Sequence, residues 1–178
     1  MKKEYRKKPW MSPKVKIGSS PIHGKGMFAN ARIDKVEVVA IWGGNYVGKE
    51  SAEEAAKNAN NGIQQIDEDV FEVFSYEHRG DDPTYFHNHS CEPNTWMEDE
   101  VTLSARHNIK EHEELTIDYA MFETKEDYVI IEKCVCGSSN CRGRITGKDW
   151  RLPELQKRYC RHFSPLINRR IANVKSTE

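Results

Sequence analysis

Three cysteines stand close together near the C-terminal end of the chain, at Cys134, Cys136 and Cys141. Their C-x-C-x4-C spacing is too tight for all three thiols to form disulfides with one another. It does allow three thiolates to converge on one ion, since the intervening glycine permits a tight turn. Zinc suits such ligands and needs a fourth, for which Cys91, Cys160 and the histidines are candidates. Free cysteines in a surface turn are the alternative.

A second group of reactive residue types lies in the segment 85–94, which contains two amides, two histidines, a hydroxyl and a thiol. If this polar run is buried, its groups need hydrogen bonds within the protein. A hydrogen-bonded turn is the simplest interpretation, because residues 92–94 give a turn signal. A strand at 113–120 ends near Tyr119, and 23–29 is a glycine-rich turn. That turn is not a dinucleotide-binding fingerprint, because no strand–helix unit surrounds it.

The elements that must position these residues are mainly short β-strands. Runs rich in Val and Ile between turn residues are typical of strands, as is alternation of apolar and polar residues. The predicted strands are 15–17, 27–33, 36–42, 101–105 and 114–117. The polar stretch 75–83 predicts a loop.

Three short helices are also predicted. A capping box at Ser51 and Glu54 predicts a helix over residues 52–58, with a turn at 60–62 after it. Pro153 suits the first turn of a second helix running to about residue 163, and a third follows from 164 to about 172. The predicted fold class is therefore mainly β (α+β), with a cysteine-rich segment before a helical tail.

Length and composition set outer limits on the function. The chain has 178 residues, of which 37% are hydrophobic and five are cysteines. This length suits one domain with a real core, and the cysteines are too few for a disulfide scaffold. No apolar run is long enough to span a membrane, and the charged N-terminus does not resemble a secretory signal peptide. We therefore expect an intracellular protein in a reducing compartment.

The net charge of −1 conceals three blocks of opposite sign. Residues 1–16 carry a net charge of +6, residues 17–133 carry −14, and residues 134–178 carry +7. An acidic body can attract a basic partner, although a solvated acidic surface is the simpler interpretation. The basic ends raise the alternative of a zinc-stabilised nucleic-acid-binding protein, but no nucleic-acid motif supports direct binding.

Taken together and in this order, four segments resemble the SET-domain protein lysine methyltransferases, and the tail over residues 145–166 looks similar to that of compact bacterial members. These segments are 24–29 (GKGMFA), 88–94 (NHSCEPN), 114–119 (ELTIDY) and the post-SET run 134–143. The resemblance implies several small, curved β-sheets around a pseudoknot, in which 88–94 passes beneath the loop containing Tyr119. It divides the chain into a basic arm (1–14), a SET domain (15–123), a zinc-binding post-SET segment (130–146) and a C-terminal helical tail (147–178).

The resemblance also implies a cofactor, S-adenosylmethionine, and a set of site residues. The cofactor would be bound by Gly24, Lys25, Gly26, Asn88, His89 and Tyr119. Tyr119 would in addition be the catalytic residue, at the end of the lysine channel. A structural zinc ion would be held by Cys91, Cys134, Cys136 and Cys141, which leaves Cys160 as a packing thiol.

Methyl transfer to lysine requires a neutral amine, whereas a free lysine with a pKa of about 10.4 is charged at neutral pH. A narrow apolar channel and a nearby sulfonium charge both disfavour the ammonium form, so no strong general base is obligatory. Positioning of the reactants can supply on the order of 7–11 kcal/mol of the barrier. Candidates for the channel wall are Trp42, Tyr46, Tyr85, Phe122 and Tyr128.

Three departures from the family pattern stand out. Val36 occupies a position where glycine is usual, so this turn is expected to differ. Ile117 stands two residues before Tyr119, where Phe or Tyr is common, and predicts that more than one methyl group can be added. Neither a pre-SET cysteine cluster nor a reader domain is recognisable.

The predicted function is methyl transfer to the lysine ε-amine of a basic protein. Histones, ribosomal proteins and host proteins all fit as substrates, and cytoplasmic, nuclear and exported locations fit equally. No oligomeric state is indicated. The alternative is a catalytically silent SET-fold module that binds a basic protein segment, although Asn88, His89 and Tyr119 together argue against it.

Overall fold

A computed structural model describes residues 3–176. The first two residues of the predicted arm (1–14) and the last two of the predicted tail (147–178) lie outside the described residues. The described strands are β1 (Trp10–Met11), β2 (Val15–Ser19), β3 (Lys25–Ala29), β4 (Val38–Ile41), β5 (Asn45–Val47), β6 (Asn61–Asp67), β7 (Val70–Ser75), β8 (Asn88–His89), β9 (Thr95–Met97), β10 (Thr102–Ala105), β11 (Glu114–Ile117), β12 (Val129–Ile131) and β13 (Ile145–Thr146). The described helices are α1 (Lys49–Ala55), α2 (Pro153–Arg158) and α3 (Pro165–Lys175).

The strands form small separate sheets rather than one large sheet. Two sheets have four strands, in the orders β1-β4-β10-β9 and β2-β3-β11-β8. A third has the order β5-β7-β6, and β12 pairs with β13. Neighbouring strands are antiparallel except for β8 and β11, which run parallel. This architecture confirms the predicted class of small β-sheets with a helical tail.

One hydrophobic core joins the sheets to the C-terminal region. Met27 of β3 and Leu115 of β11 are fully buried, and the same cluster contains Trp150, Tyr159 and Ile167. Burial of each such side chain contributes on the order of 1.5–3 kcal/mol. The C-terminal region is therefore an integral part of this core.

The N-terminal arm is held against the body rather than extending freely from it. Its strand β1 pairs antiparallel with β4. The ring of Tyr5 lies 4.8 Å from that of Tyr46, and the Tyr5 hydroxyl donates a hydrogen bond to Glu100 at 2.9 Å.

The predicted strands are found, but three are shorter than predicted, and that over 101–105 loses only its first residue. The strand predicted over 27–33 ends at Ala29, and Ile33 forms an isolated bridge with Ile109. The strand predicted over 36–42 begins at Val38, because Val36 has a φ of 65°. That left-handed conformation is incompatible with a strand.

The hairpin of β6 and β7 was not predicted. Asn61 and Gly62 were assigned to a turn, yet they begin β6. A glycine is needed there because a β-carbon on Gly62 would lie 2.1 Å from the Phe74 ring. The polar pair Gln64 and Gln65 interrupts the alternation of apolar and polar residues that predicts a strand.

The helices occur near their predicted positions with different ends. Helix α1 begins after Gly48, so the predicted capping box at Ser51 is wrong. Helix α2 stops at Arg158 because the Tyr159 ring turns into the core. Helix α3 begins after Ser164, whose hydroxyl accepts a hydrogen bond from the Ile167 N–H at 3.4 Å. Among residues 3–176, none of the helices is both long and apolar enough to cross a membrane.

Candidate active site and metal centre

Four cysteines from two distant parts of the chain come together. The sulfur atoms of Cys91, Cys134, Cys136 and Cys141 all lie within 4.8 Å of one another. Four thiolates at about 2.3 Å from one tetrahedral ion lie about 3.8 Å apart, so this cluster could hold a metal ion. Cys91 is the fourth member of the group. Cys160, expected to be a packing thiol, is instead exposed, because it follows the end of α2 on the protein surface.

The loop between β12 and β13 is shaped by two glycines and fastened by Glu92. Gly137 and Gly143 have φ values of 73° and 75°, a left-handed conformation that a β-carbon disfavours. The Glu92 carboxylate accepts hydrogen bonds from the Ser138 hydroxyl at 3.0 Å and the Asn140 amide at 3.3 Å. The loop carrying three cysteines is thus tied to the segment carrying the fourth.

The thiols of this cluster differ in acidity. Burial raises the pKa of Cys134 to about 11. Burial alone would also raise the pKa of Cys136, but backbone N–H groups of Cys91 and Ser138 and the neighbouring thiols outweigh it and lower the pKa to about 7. Because metals bind thiolates, Cys136 is readier than Cys134 to bind at neutral pH.

His89 connects the cysteine cluster to Tyr119. The backbone N–H of Tyr119 donates to Nδ1 of His89 at 3.3 Å, so the ring proton is on Nε2. Nε2 lies 3.3 Å from the sulfur of Cys91. Burial lowers the pKa of His89 to about 4, which keeps the ring neutral at physiological pH.

Arg142, which lies within the cysteine-rich segment 134–143, makes an extensive ionic contact near the site. Its guanidinium donates to both carboxylate oxygens of Asp118 at 2.7 and 2.8 Å and to Asp149 at 2.8 Å. The Tyr159 hydroxyl also donates to Asp118, at 3.0 Å. Since Asp118 is fully buried directly before Tyr119, Arg142 fixes the cysteine loop to the segment carrying the tyrosine.

The segment 88–94 lies along β11. The Asn94 amide donates to the carbonyl of Glu114 at 2.8 Å and accepts from the N–H of Thr116 at 2.8 Å. The N–H of Ser90 donates to the carbonyl of Ile117 at 3.0 Å. The Asn94 side chain therefore satisfies two backbone groups of β11 in the way that a neighbouring strand would.

Asn88 contacts the glycine-rich turn. Its side-chain N–H group lies 3.2 Å from the carbonyl of His23, 2.9 Å from that of Lys25 and 2.8 Å from a Glu114 carboxylate oxygen. Three predicted cofactor residues, Gly24, Lys25 and Asn88, are thereby brought together.

Glycine is favoured at two positions of this turn for different reasons. Gly24 has a φ of 49°, and a β-carbon there would meet nothing within 4 Å, so the turn is open on that side. A β-carbon on Gly26 would lie 2.2 Å from a carboxylate oxygen of Glu114. The same carboxylate accepts from the Ser20 hydroxyl at 2.8 Å.

Tyr119 begins a single-turn 3-10 helix directly after β11. Its hydroxyl donates to the carbonyl of His87 at 3.2 Å. The Tyr119 ring lies 5.1 Å from the His89 ring and 5.6 Å from Phe122. Burial raises the pKa of Tyr119 to about 12, so the hydroxyl keeps its proton.

Tyr119 lines a cavity of about 250 Å³. Three of the five predicted wall residues line it as well: Trp42, Tyr85 and Phe122. The other two assignments are wrong, because both side chains are directed elsewhere. Tyr46 packs against Tyr5, and Tyr128 is 49% exposed beside Lys125.

The cavity wall carries more negative than positive charge. Glu72, Asp82 and Glu123 line it together with one cation, Arg79. Arg79 lies 3.2 Å from Glu72 and 3.6 Å from the centre of the Phe74 ring. Burial raises the pKa of Glu72 although Arg79 opposes the shift. The sequence had not singled out these four charged residues.

Known proteins resemble this chain over most of its length. Residues 24–120 match the family described as SET domain. A histone-lysine N-methyltransferase, H3 lysine-4 specific, of Schizosaccharomyces pombe is 30% identical over 142 residues, which cover 72% of this chain and 15% of that protein. The histone-lysine N-methyltransferase set-2 of Caenorhabditis elegans is 30% identical over 142 residues, covering 74% and 9%. The histone-lysine N-methyltransferase ATX2 of Arabidopsis thaliana is 28% identical over 158 residues, covering 82% and 14%. The chain spans less than a sixth of the length of these relatives.

Proposed function

The chain belongs to the SET-domain family, and on that premise we propose that it is a protein-lysine N-methyltransferase dependent on S-adenosylmethionine. The observation that carries this proposal is the position of Tyr119. Its protonated hydroxyl lies in the wall of a cavity lined by aromatic rings and carboxylates. Such a cavity fits a side chain with an apolar stem and a cationic end.

We assign the cofactor to the turn that Asn88 holds. S-adenosylmethionine supplies a methyl group on a sulfonium, which leaves as a neutral thioether. The residues that would bind it are Gly24, Lys25, Gly26, Asn88, His89 and Tyr119. The open side of Gly24 and the contacts of Asn88 with the turn support this assignment.

We assign a structural zinc ion to Cys91, Cys134, Cys136 and Cys141. The all-thiolate donor set and the short sulfur separations support zinc over harder metals. The ion would hold the loop 134–143 beside His89 and Tyr119 and would take no part in the chemistry.

The chain's own residues then prepare the amine. The carboxylates of the cavity attract a cationic side chain, and the rings around Tyr119 disfavour its charge once it is buried. Loss of one proton to water exposes the nitrogen lone pair. The Tyr119 hydroxyl and the carbonyl of His87 are the polar groups available to orient the amine.

We propose a lysine in a basic protein segment as the substrate. The acidic middle of the chain, with a net charge of −14 over residues 17–133, supports this. Three relatives are named histone-lysine N-methyltransferases, so histones are the first substrates to try. We also propose the division into 1–14, 15–123, 130–146 and 147–178, and an intracellular site of action where thiols remain reduced.

The first test is calorimetric titration of the zinc-loaded protein with S-adenosylmethionine, which needs no substrate. We expect saturable binding that Asn88→Ala weakens at least tenfold, because the glycine-rich turn loses its anchor. Asn30→Ala, which removes an exposed amide on another loop, should leave the affinity unchanged. If zinc is bound to all four cysteines and no binding is seen at millimolar cofactor, the result would contradict the proposal and favour a silent binding module.

A further inference from the structure

Arg79 is a cation held in the wall of the cavity that contains Tyr119. Its guanidinium carbon lies 3.6 Å from the centre of the Phe74 ring and 4.8 Å from that of Tyr85. Its Nη1 donates to the Glu72 carboxylate at 3.2 Å. Its Nε is buried, and no hydrogen-bond partner for this atom occurs within the described range 3–176. Two rings and one carboxylate therefore fix the position of this charge.

Glu72 differs from the other two carboxylates of the cavity. It is 7% exposed, whereas Asp82 and Glu123 are half-buried. The carboxylates of Asp82 and Glu123 accept hydrogen bonds from backbone N–H groups of their own loops, at 2.7 and 2.8 Å. In the described part of the chain, the Glu72 carboxylate has Arg79 as its one ionic and hydrogen-bonding partner. Arg79 is therefore what compensates the most buried negative charge of the cavity.

A buried carboxylate without that compensation would work against the proposed reaction. A carboxylate near an amine stabilises its ammonium form, whereas the nitrogen attacks a methyl group only as a neutral amine. Burial raises the pKa of Glu72 and Arg79 opposes this rise, while the charge of Arg79 also disfavours a second cation nearby. A sphere of the cavity's volume is about 8 Å across, so both charges act on an amine inside it without touching it.

Neutral titratable groups complete the surroundings of this ion pair. Burial lowers the pKa of His87 to about 3 and raises that of Tyr119 to about 12. Burial also raises the pKa of Tyr46, which lies opposite Glu72 in the neighbouring strand β5. The charge felt by an amine in the cavity therefore comes from the three carboxylates and from Arg79.

We propose that Arg79 is a positioning residue that occupies the Glu72 carboxylate and so allows the target ammonium to lose its proton within the cavity. This inference rests on the proposed function. The N–H bond of the ammonium breaks with its electron pair left on nitrogen, and the proton passes to water. The lone pair then forms the N–CH3 bond while the S–CH3 bond breaks with its pair left on sulfur. Asp82 and Glu123 remain available to attract the cationic substrate.

The first test measures the protonation of an amine in the cavity without turnover. Zinc-loaded protein with n-butylamine, labelled with ¹³C next to its nitrogen, is titrated with alkali, and the ¹³C shift of the bound amine gives its pKa. Arg79→Met should raise this pKa by at least about 0.5, because Glu72 loses its counter-charge. Arg79→Lys keeps the charge and should retain the wild-type value, whereas Glu72→Gln should lower it. Absence of bound amine, or one pKa in all these proteins, would overturn the inference.

The second test records the pH dependence of methyl transfer to recombinant histone H3 with excess cofactor. Turnover rises with pH as the amine loses its proton, so a higher pKa of the amine moves this rise to higher pH. Arg79→Met should move it upward by at least about 0.5 pH unit. The double variant Glu72→Gln/Arg79→Met removes both charges and should return to the wild-type position, which a merely structural role of Arg79 would not produce. Arg32→Met, which removes an exposed pair with Asp34, should leave the profile unchanged.

Identical profiles for the wild type and Arg79→Met, with both proteins folded by circular dichroism, would overturn the inference and leave lysine methylation intact. If Arg79→Met is unfolded, Glu72→Gln carries the test, since it should move the rise to lower pH, and an unmoved profile would be equally contrary. Absence of any transfer by the wild type would count against the proposed function on this substrate, and the amine titration would then decide the inference alone.

Discussion

The two sides of the cavity are built in different ways. The motif wall (residues 88–94, 114–119 and 134–143) reaches the cavity through Ile117 and Tyr119. Behind them it is held by buried or half-buried side chains that bond directly to the backbone or to each other. Asn94 satisfies two backbone groups of β11, and Arg142 makes a two-pronged ion pair with Asp118. The hairpin wall (residues 61–75) carries Gln64 and Glu72, which line the other side.

The hairpin wall has few attachments to the segment that follows Tyr119. The Gln64 amide donates to the carbonyl of Phe122 at 3.4 Å. Arg170 of α3 links the hairpin wall to this segment by donating to the Thr124 carbonyl at 2.9 Å and to Gln65 at 3.1 Å. We therefore expect the hairpin wall to adjust to a substrate more readily than the motif wall.

The largest effect is expected at the centre of the motif wall. Tyr119→Phe should reduce turnover by on the order of 10²–10³, because the hydroxyl that orients the amine is lost. Cofactor affinity measured by calorimetry should be nearly unchanged. Tyr128→Phe, a half-exposed tyrosine outside the cavity, is the matched control. Unchanged turnover in Tyr119→Phe would refute the assigned role.

The next effect tests what holds the motif wall together. Arg142→Met should destabilise the protein by about 3–5 kcal/mol, because it leaves Asp118 buried without its cationic partner. Urea unfolding and zinc release to a chromogenic chelator measure the two consequences. Arg144→Met removes an exposed pair with Glu132 and should cost at most about 1 kcal/mol. Equal losses of stability in the two variants would show that the ion pair of Arg142 with Asp118 contributes no more than the exposed pair of Arg144.

A smaller effect is expected on the hairpin wall. Arg170→Met should raise the KM for a protein substrate about fivefold, a change of roughly 1 kcal/mol, because the hairpin wall loses its link to the segment after Tyr119. Cofactor affinity should remain the same, since the motif wall is untouched. Lys157→Met on α2 is the control. If Arg170→Met also lowered the cofactor affinity, the two walls would not act separately.

The smallest effect belongs to a turn outside both walls. Val36 is 64% exposed and has a φ of 65°, which is strained for a β-branched residue. Val36→Gly should stabilise the protein by about 0.5–1 kcal/mol, since relief of strain exceeds the added entropy of the unfolded chain. Thermal unfolding measures the gain, and turnover should not change. A lower melting temperature of Val36→Gly would contradict the interpretation that the Val36 backbone is strained.

The motif wall could be predicted from the sequence because its residues act within short segments. The C-x-C-x4-C spacing itself indicates convergence of three thiols, and the order of the segments indicated Cys91 as the fourth through a family resemblance. The strand at 114–117 was predicted with its observed ends, because its alternation is regular.

The hairpin wall and the polar network could not be predicted, since both depend on contacts between distant residues. Nothing in the local sequence pairs Arg142 with Asp118 or turns Glu72 into the cavity. Tyr46 and Tyr85 look alike in sequence, but Tyr46 lies in β5 and packs against Tyr5, whereas Tyr85 lines the cavity. The contact of His87 Nε2 with the Thr95 hydroxyl, and of that hydroxyl with the Thr116 carbonyl, also joins residues that are distant in sequence. The chain brings them together through β11.

The division of the four cysteines between two segments gives the ion a further consequence for the chain. Cys91 and Cys134 are 43 positions apart, so an ion bound by both would act as a cross-link that closes a long loop. By analogy with a disulfide, closing a loop of this length restricts the unfolded chain by about 4 kcal/mol of conformational entropy. A structural ion would therefore stabilise the whole fold by limiting the freedom of the unfolded state.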